Sequence, residues 1–306
     1  MSYTKDFSVI IPVWRGAVKY LPKLIDSIPQ IDGVEIIIVD NSKDPVRREE
    51  IETERDIIFL HSAYERHAGG SRNDGIAAAN GKWLLFADAD DFFSDKAFEF
   101  FYSKINSDAD IIYTCAEGLY VDTGERSGRG DDYTNRVKGF LAGRYTEEDL
   151  RLDFHVPWCK MIKSELIKHH NICFDEIKAG NDMYFSLVSG YYANKIEAND
   201  VVTYVVTVTK GSLTKRRDYE TIKARLFSKL HCNQFLKAHG YPKRQYSVMF
   251  ALAESRNYGF KKTIEFILIT LRYKQNPFIG ISRWFKTKEK NKESINRDKS
   301  YYSDDI

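Results

Sequence analysis

Over roughly the first third of the chain, apolar residues fall in short unbroken runs separated by polar turns. Phe7 to Val13 (FSVIIPV) is one run, Val34 to Val39 (VEIIIV) a second, Ile57 to Leu60 a third and Trp83 to Ala87 (WLLFA) a fourth. Runs of this length, rich in Val and Ile and without alternation, predict strands buried on both faces. Between them the period changes. Leu21, Leu24, Ile25 and Ile28 recur at three- and four-residue spacing, and Ser71 to Ala79 fits a helix stopped by Asn80-Gly81. Strands alternating with helices predict an α/β fold, a mostly parallel central sheet flanked by helices. In such sheets ligands sit beyond the carboxyl ends of the strands. The residues to inspect are therefore Trp14, Asp40, Asn41 and the acidic group at 88–91.

Further along, Ser94 is a candidate cap for a helix bearing Ala97, Phe98, Phe101 and Ile105. Asp110 to Cys115 and Gly118 to Val121 predict two strands meeting near Glu117, and the Gly-, Asp- and Arg-rich stretch from Asp122 to Tyr133 predicts a loop. A helix is expected around Tyr184, Leu187, Val188 and Tyr191, then a strand over Val201 to Val208. Beyond that the chain reads helical and basic. The expected division is a first domain over 1–210 and a mainly helical region over 211–306.

Composition narrows the class. With 306 residues and 43% hydrophobic content, one sizeable core is affordable. A net charge of +2 is not that of a nucleic-acid binder. The four cysteines have no CxxC spacing and the seven histidines no ligand spacing with them, which disfavours zinc and suits reduced thiols in a cytoplasmic protein. The N-terminus runs straight into a strand, so no secretion signal is expected. No apolar run approaches the roughly 20 residues of a membrane-spanning helix.

The C-terminal region adds one further feature. From Lys261 to Ile306, eleven Lys or Arg stand against six Asp or Glu. Ile264, Ile267, Leu268 and Leu271 fall on one helical face that Phe266 and Ile269 widen. Lys261, Lys262, Arg272 and Lys274 flank it, and Trp284 and Phe285 sit beside Arg283 and Lys286. Two readings fit: peripheral contact with the inner face of the cell membrane, or a helix packed on the first domain.

The sharpest chemistry lies in Phe86-Ala-Asp-Ala-Asp-Asp-Phe92. Three carboxylates at the end of a buried strand repel one another, and a divalent cation would relieve that cost. By pattern alone the same residues also fit a solvated acidic turn.

Taken in order, FSVIIPVW, EIIIVDNS, GGSRNDGIAAANGKWLLFADADD and the later Gly180-Asn181-Asp182 resemble the family 2 glycosyltransferases of GT-A fold, over roughly residues 7 to 210. The resemblance implies an inverting transfer of a hexose from a nucleotide-sugar, UDP being the family's commonest nucleotide. The implied acceptor is a hydroxyl of a saccharide or lipid-linked saccharide in cell-surface polysaccharide synthesis. It places Pro12, Trp14, Asp40 and Asn41 at the nucleotide, Trp14 stacking on the base. Arg72 falls near a phosphate or ribose oxygen. Asp88 and Asp90 fall at the DxD motif that holds Mn2+ or Mg2+, Asp90 in direct contact with the metal and Asp88 nearer the ribose or the metal's shell, with Asp91 behind them. Asp182 takes the place of the catalytic base. Trp158 and Lys160 fall toward the acceptor, and the basic stretch Lys210 to Arg217 over the diphosphate. Two positions depart from the family pattern: Asn41 and Asn181 stand where carboxylates are usual. Those departures keep a non-catalytic nucleotide-sugar-binding subunit open as an alternative. A pyrophosphorylase is disfavoured by the single Gly after the first strand, and a dehydrogenase by the lack of GxGxxG. At a helix start, the Asp182 carboxylate is expected to keep a low pKa.

Overall fold

The first strand, β1 (Lys5–Val13), is buried from Phe7 onward, as its unbroken apolar run requires. The computed structural model describes residues 3–208 and 218–279. The chain divides into two compact units, Met1–Ser212 and Leu213–Ile306. In the first, β1 is followed by α1 (Leu21–Asp26), β2 (Val34–Asp40), β3 (Ile58–His61), α2 (His67–Ala78), β4 (Gly81–Phe86), β5 (Phe92–Phe93) and α3 (Ala97–Ser103). Next come β6 (Ile111–Tyr120), β7 (Arg126–Ser127), α4 (Asp131–Leu141), α5 (Glu147–Asp153), β8 (Lys160–Lys163), α6 (Ser164–His169), α7 (Asn181–Tyr192) and β9 (Ile196–Val208).

Among the described residues the strands form one sheet in the order β3-β2-β1-β4-β8-β6-β9-β5, with β7 paired to β6. The four strands seen as apolar runs make its parallel half: β2 and β4 flank β1, and β3 lies outside β2. The other half is mixed. β8 runs antiparallel to both β4 and β6, while β9 runs parallel to β6. Fully buried Val9, Ile10, Ile11, Ile37, Ile38 and Val39 fill the parallel half. Burying each such side chain is worth about 1.5–3 kcal/mol.

Local expectations fail where tertiary partners decide. Ser94 is not a helix cap: α3 begins at Ala97, and the Ser94 hydroxyl donates to the carbonyl of Val202 at 2.7 Å. The two strands expected around Glu117 are one continuous β6. The expected loop at 122–133 contains β7 and the first turn of α4. That helix starts after Gly130, which takes the left-handed conformation (φ 93°), with Asp131 and Asp132 in its first turn facing the positive end of the helix dipole. Thr134 Oγ1 then accepts from the Ala116 amide at 2.9 Å and fastens α4 to β6.

The second unit contains α8 (Tyr219–Ala238), α9 (Met249–Ser255) and α10 (Phe260–Arg272). Ile222, Leu226, Leu230, Val248, Ala251, Leu252 and Phe266 form its core. Among the described residues no helix is long and apolar enough to cross a membrane. The stretches Lys210 to Arg217 and Arg283 to Lys286 lie outside the described residues.

Candidate active site

The carboxyl ends of β1, β2 and β4 converge, as the topology dictates. Pro12 lies in the buried part of β1, and Trp14 leaves the sheet with 53% of its surface exposed. Its indole lies over Gly16, where a Cβ would come within 2.1 Å of the ring. Arg15 between them ties this loop to the one after β2. Its amide donates to Ser42 Oγ (2.7 Å), and its guanidinium to the carbonyls of Asp44 (3.1 Å) and Pro45 (2.6 Å) and to Glu50 Oε2 (2.8 Å). That hydrogen bond, with those from Arg47, holds the Glu50 carboxyl down to about 2.

Asp40 ends β2 and is buried. Its Oδ1 accepts from the Ser42 amide (3.0 Å) and hydroxyl, and its Oδ2 from the Val46 amide (2.9 Å) and lies 3.3 Å from His61 Nδ1. The carboxylate's acceptor capacity goes into shaping residues 41–46. Asn41, partly exposed, is the member of the pair turned toward solvent.

Arg72 joins the two acidic centres. It is buried on α2, its guanidinium 5.3 Å from the Phe174 ring. Nη2 donates to Asp88 Oδ1 at 2.5 Å and Nη1 to Asn181 Oδ1 at 2.9 Å. Its Nε is buried without a hydrogen-bond partner among the described residues. The same helix fixes the approach to α7. Asn73 exchanges hydrogen bonds with the Phe174 backbone (2.8 and 3.0 Å), and Arg66, just before α2, grips Glu176 (2.6 and 3.0 Å) and Asp74 (2.8 Å). Gly69 lets the segment pass closely: a Cβ there would lie 2.0 Å from the Asp175 carbonyl. Gly75 does the same against Ile10 of β1, at 2.5 Å.

The three carboxylates after β4 separate by environment. Asp88 pairs with Arg72, and its amide donates to Tyr204 Oη at 2.8 Å. Asp91 is buried and accepts from the Thr207 amide at 2.7 Å; burial, then Asp90 and Asp88, push its carboxyl well up. Asp90 is partly exposed and is pushed up by burial and by Asp88. Among the described residues no three His, Cys, Asp or Glu side chains converge as metal ligands. Asp90 with the remaining oxygen of Asp88 offers a one- or two-carboxylate donor set, the kind Mg2+ and Mn2+ complete with phosphate oxygens.

Asp182 stands in the first turn of α7, after Gly180 in the left-handed conformation (φ 77°). The residue is partly exposed, but its carboxyl is enclosed and is pushed up to about 6, chiefly by burial; Asp88 adds to this, while Arg72 and Lys160 oppose it. The low pKa expected from the helix start is therefore not found: desolvation outweighs the dipole. Trp158 and Lys160 do not line an open acceptor surface. Trp158 is buried and stacks on Tyr204 at 5.4 Å. Lys160 is buried, donates to the Phe154 carbonyl at 2.8 Å, and is pushed down to about 7 by desolvation.

Arg15, Arg66 and Tyr204 belong to none of the sequence motifs, and Gly16 stands out there only as the single Gly after the first strand. Gly16, two residues past Trp14, is the one local signal; nothing in the sequence pairs Arg66 with Glu176 or Tyr204 with Asp88.

A half-parallel sheet with a carboxylate loop after β4 and an acidic helix start facing it defines the GT-A, nucleotide-diphospho-sugar transferase fold. The profile described as "Glycosyl transferase family 2" matches residues 8–170, more than half of the chain. The chain belongs to that family of glycosyltransferases. Among its relatives is the poly(ribitol-phosphate) beta-N-acetylglucosaminyltransferase TarS of Staphylococcus aureus, 25% identical over 216 residues that cover 67% of this chain and 36% of the relative. The chain thus spans about a third of TarS. The uncharacterized glycosyltransferase EpsJ of Bacillus subtilis is 27% identical over 221 residues, 68% of this chain and 62% of EpsJ. Two solved structures share the fold. S. aureus TarS 1-349 in complex with UDP-GlcNAc has a TM-score of 0.55 at 21% identity, covering 76% of this chain and 70% of that one. The mannosyltransferase PcManGT of Pyrobaculum calidifontis, with GDP-Man and Mn2+, has a TM-score of 0.56 at 15% identity, covering 99% and 89%.

Proposed function

We propose that the protein transfers a hexose, with inversion, from a UDP-sugar to a hydroxyl of a saccharide or lipid-linked saccharide in cell-surface polysaccharide synthesis. The observation that carries this reading is the Arg72 bridge between Asp88 and Asn181, which sets the carboxylate loop beside the helix bearing Asp182. A leaving group and a general base must lie on either side of one sugar carbon, and this bridge fixes the two elements that would supply them.

In this reading the base stacks on the exposed indole of Trp14, backed by Pro12. Asn41 contacts the base or ribose, and Asp40 holds the 41–46 loop that presents it. Arg72 orients Asp88 toward the ribose side of the donor. Asp90, with Asp88, would hold Mn2+ or Mg2+; bound there, the ion supplies neutralisation of the departing diphosphate. Support for a nucleotide-sugar donor comes from structural neighbours solved with UDP-GlcNAc, UDP and, with Mn2+, GDP-Man; the choice of UDP follows TarS.

Asp182 takes the proton of the attacking hydroxyl. The acceptor oxygen forms a bond to the anomeric carbon while the bond from that carbon to the phosphate oxygen breaks. The electron pair leaves with the nucleoside diphosphate, and a single displacement inverts the configuration. A carboxyl at about 6 is a better-matched base near neutral pH than an ordinary carboxylate. Asp182→Asn is expected to bind UDP-sugar almost as the parent does and to lose at least about 10²-fold in turnover. Near-normal turnover with a panel of UDP-sugars and saccharide acceptors would rule Asp182 out as the base.

A further inference from the structure

Helix α10 has two unlike faces. One packs into the core of the second unit: Phe266 and Thr270 are fully buried, with Ile269 and Tyr273 against the same cluster. The opposite face carries Phe260, Ile264, Ile267, Leu268 and Leu271. Phe260 is 80% exposed, Leu268 50% and Leu271 52%. At 3.6 residues per turn these five side chains occupy an arc of about 100°. Five neighbouring large apolar side chains open to water form a stripe that asks for a partner.

The charges say which partner. On the helix wheel exposed Lys261 and Arg272 border the stripe on one side, and exposed Lys274 follows just past the helix end. The one acidic residue of α10, Glu265, lies outside the stripe. The Tyr219 hydroxyl, Lys262 Nζ at 2.9 Å and Lys223 Nζ at 3.0 Å face it and in that order keep its carboxyl down at about 2. The stripe is thus bordered by cations and carries no free anion. An apolar arc edged by Lys and Arg matches an anionic lipid surface: apolar side chains enter the headgroup boundary while the cations meet lipid phosphates.

We propose that the exposed face of α10 docks the protein onto anionic membrane. The inference is independent of the catalytic assignment, which rests on residues of the first unit.

The test is co-sedimentation of the full chain with vesicles of phosphatidylglycerol and phosphatidylethanolamine, against pure phosphatidylcholine. Parent protein is expected to sediment with the anionic vesicles at low salt and to be released as salt rises. The double variant Leu268→Ser/Leu271→Ser and the pair Lys261→Glu/Arg272→Glu are each expected to bind at least about tenfold more weakly, a loss of about 1.4 kcal/mol. All these residues are exposed, so unchanged circular dichroism and melting temperature are expected. Three outcomes overturn the proposal. One is no sedimentation of the parent with anionic vesicles at low salt. A second is equal binding by parent and both variants. A third is a concentration-dependent dimer that Leu268→Ser/Leu271→Ser dissolves without any vesicle binding, which would assign the face to a second copy of the chain.

Discussion

The raised carboxyl of Asp182 makes a prediction with a definite sign. An aspartate in the unfolded chain titrates near about 3.9, and Asp182 in the fold at about 6. Between these values the folded state holds a proton that the unfolded state has released. Asp182 therefore costs stability above about pH 6, and the cost fades as the pH falls toward 4. Asp182→Asn removes the titration while keeping the shape. At pH 7 it is expected to melt a few degrees above the parent, and at pH 4 to melt with it. The parent's turnover is expected to fall as the pH drops through about 6, because a protonated base accepts nothing. Thermal melts at both pH values test the first part. Equal melting of parent and variant at pH 7 would mean that burial does not penalise the charge. The residue scale also marks where sequence reading stops. That Asp88, Asp90 and Asp91 follow a buried strand is legible in FADADDF. That Arg72 takes the Asp88 carboxylate, the Thr207 amide takes that of Asp91 and neither takes that of Asp90 depends on partners 16 and 116 residues away. Likewise Lys160, expected toward the acceptor, is buried by the pairing of β8 with β6 and by Phe154.

Helix α2 is the element that turns a sheet into a site. One side lies on β1 through Gly75, one end meets the 174–181 segment through Gly69 and Asn73, and Arg72 spans from Asp88 to Asn181. Enlarging Gly69 should move the segment that leads into α7, because the clash is with a backbone carbonyl rather than a yielding side chain. Gly69→Val is expected to lower turnover at least about tenfold and to cost about 1–3 kcal/mol, the usual range for overpacking. Gly128→Ala is the control, since a Cβ there meets only Asp131 Oδ2 at 3.7 Å and the backbone is not left-handed. Parent-like turnover in Gly69→Val would show that the segment accommodates the side chain and does not need its present position. Elements were legible in proportion to how far burial alone dictates them. β1, β2 and β4 bury runs that are almost wholly apolar, so they stand out, whereas α7 buries Ser186, Ser189 and Gly190 beside Phe185, Leu187 and Val188. α4 begins among Gly, Asp and Arg and is held by Thr134 and a left-handed Gly130, neither of which carries a period. β5 has two residues and exists because β9 pairs with it.

At the scale of the whole molecule, every residue proposed to meet the donor lies in the unit Met1–Ser212, on loops that follow β1, β2 and β4 or on α2. The proposed ion has few protein ligands. Asp91 is committed to the β9 backbone and one oxygen of Asp88 to Arg72, which leaves Asp90 and the rest of Asp88. So poor a donor set binds a cation weakly by itself and needs diphosphate oxygens to complete the shell. Cation and donor should therefore bind together: each is expected to raise the other's affinity by the same factor, as linkage requires. Calorimetric titration of UDP into the protein with Mn2+ is expected to give at least about tenfold tighter binding than the same titration in EDTA. Titration of Mn2+ without nucleotide should give little signal. Asp90→Ala is expected to abolish the Mn2+ dependence while leaving the melting temperature at or above that of the parent, since it removes a carboxyl raised by burial and by Asp88. GDP in place of UDP is expected to bind more weakly if the 41–46 loop reads the base, because a stacking indole by itself accepts either ring. Equal UDP affinity in Mn2+ and EDTA would remove the ion from donor binding, and the diphosphate would then have to be held by the protein's own donors.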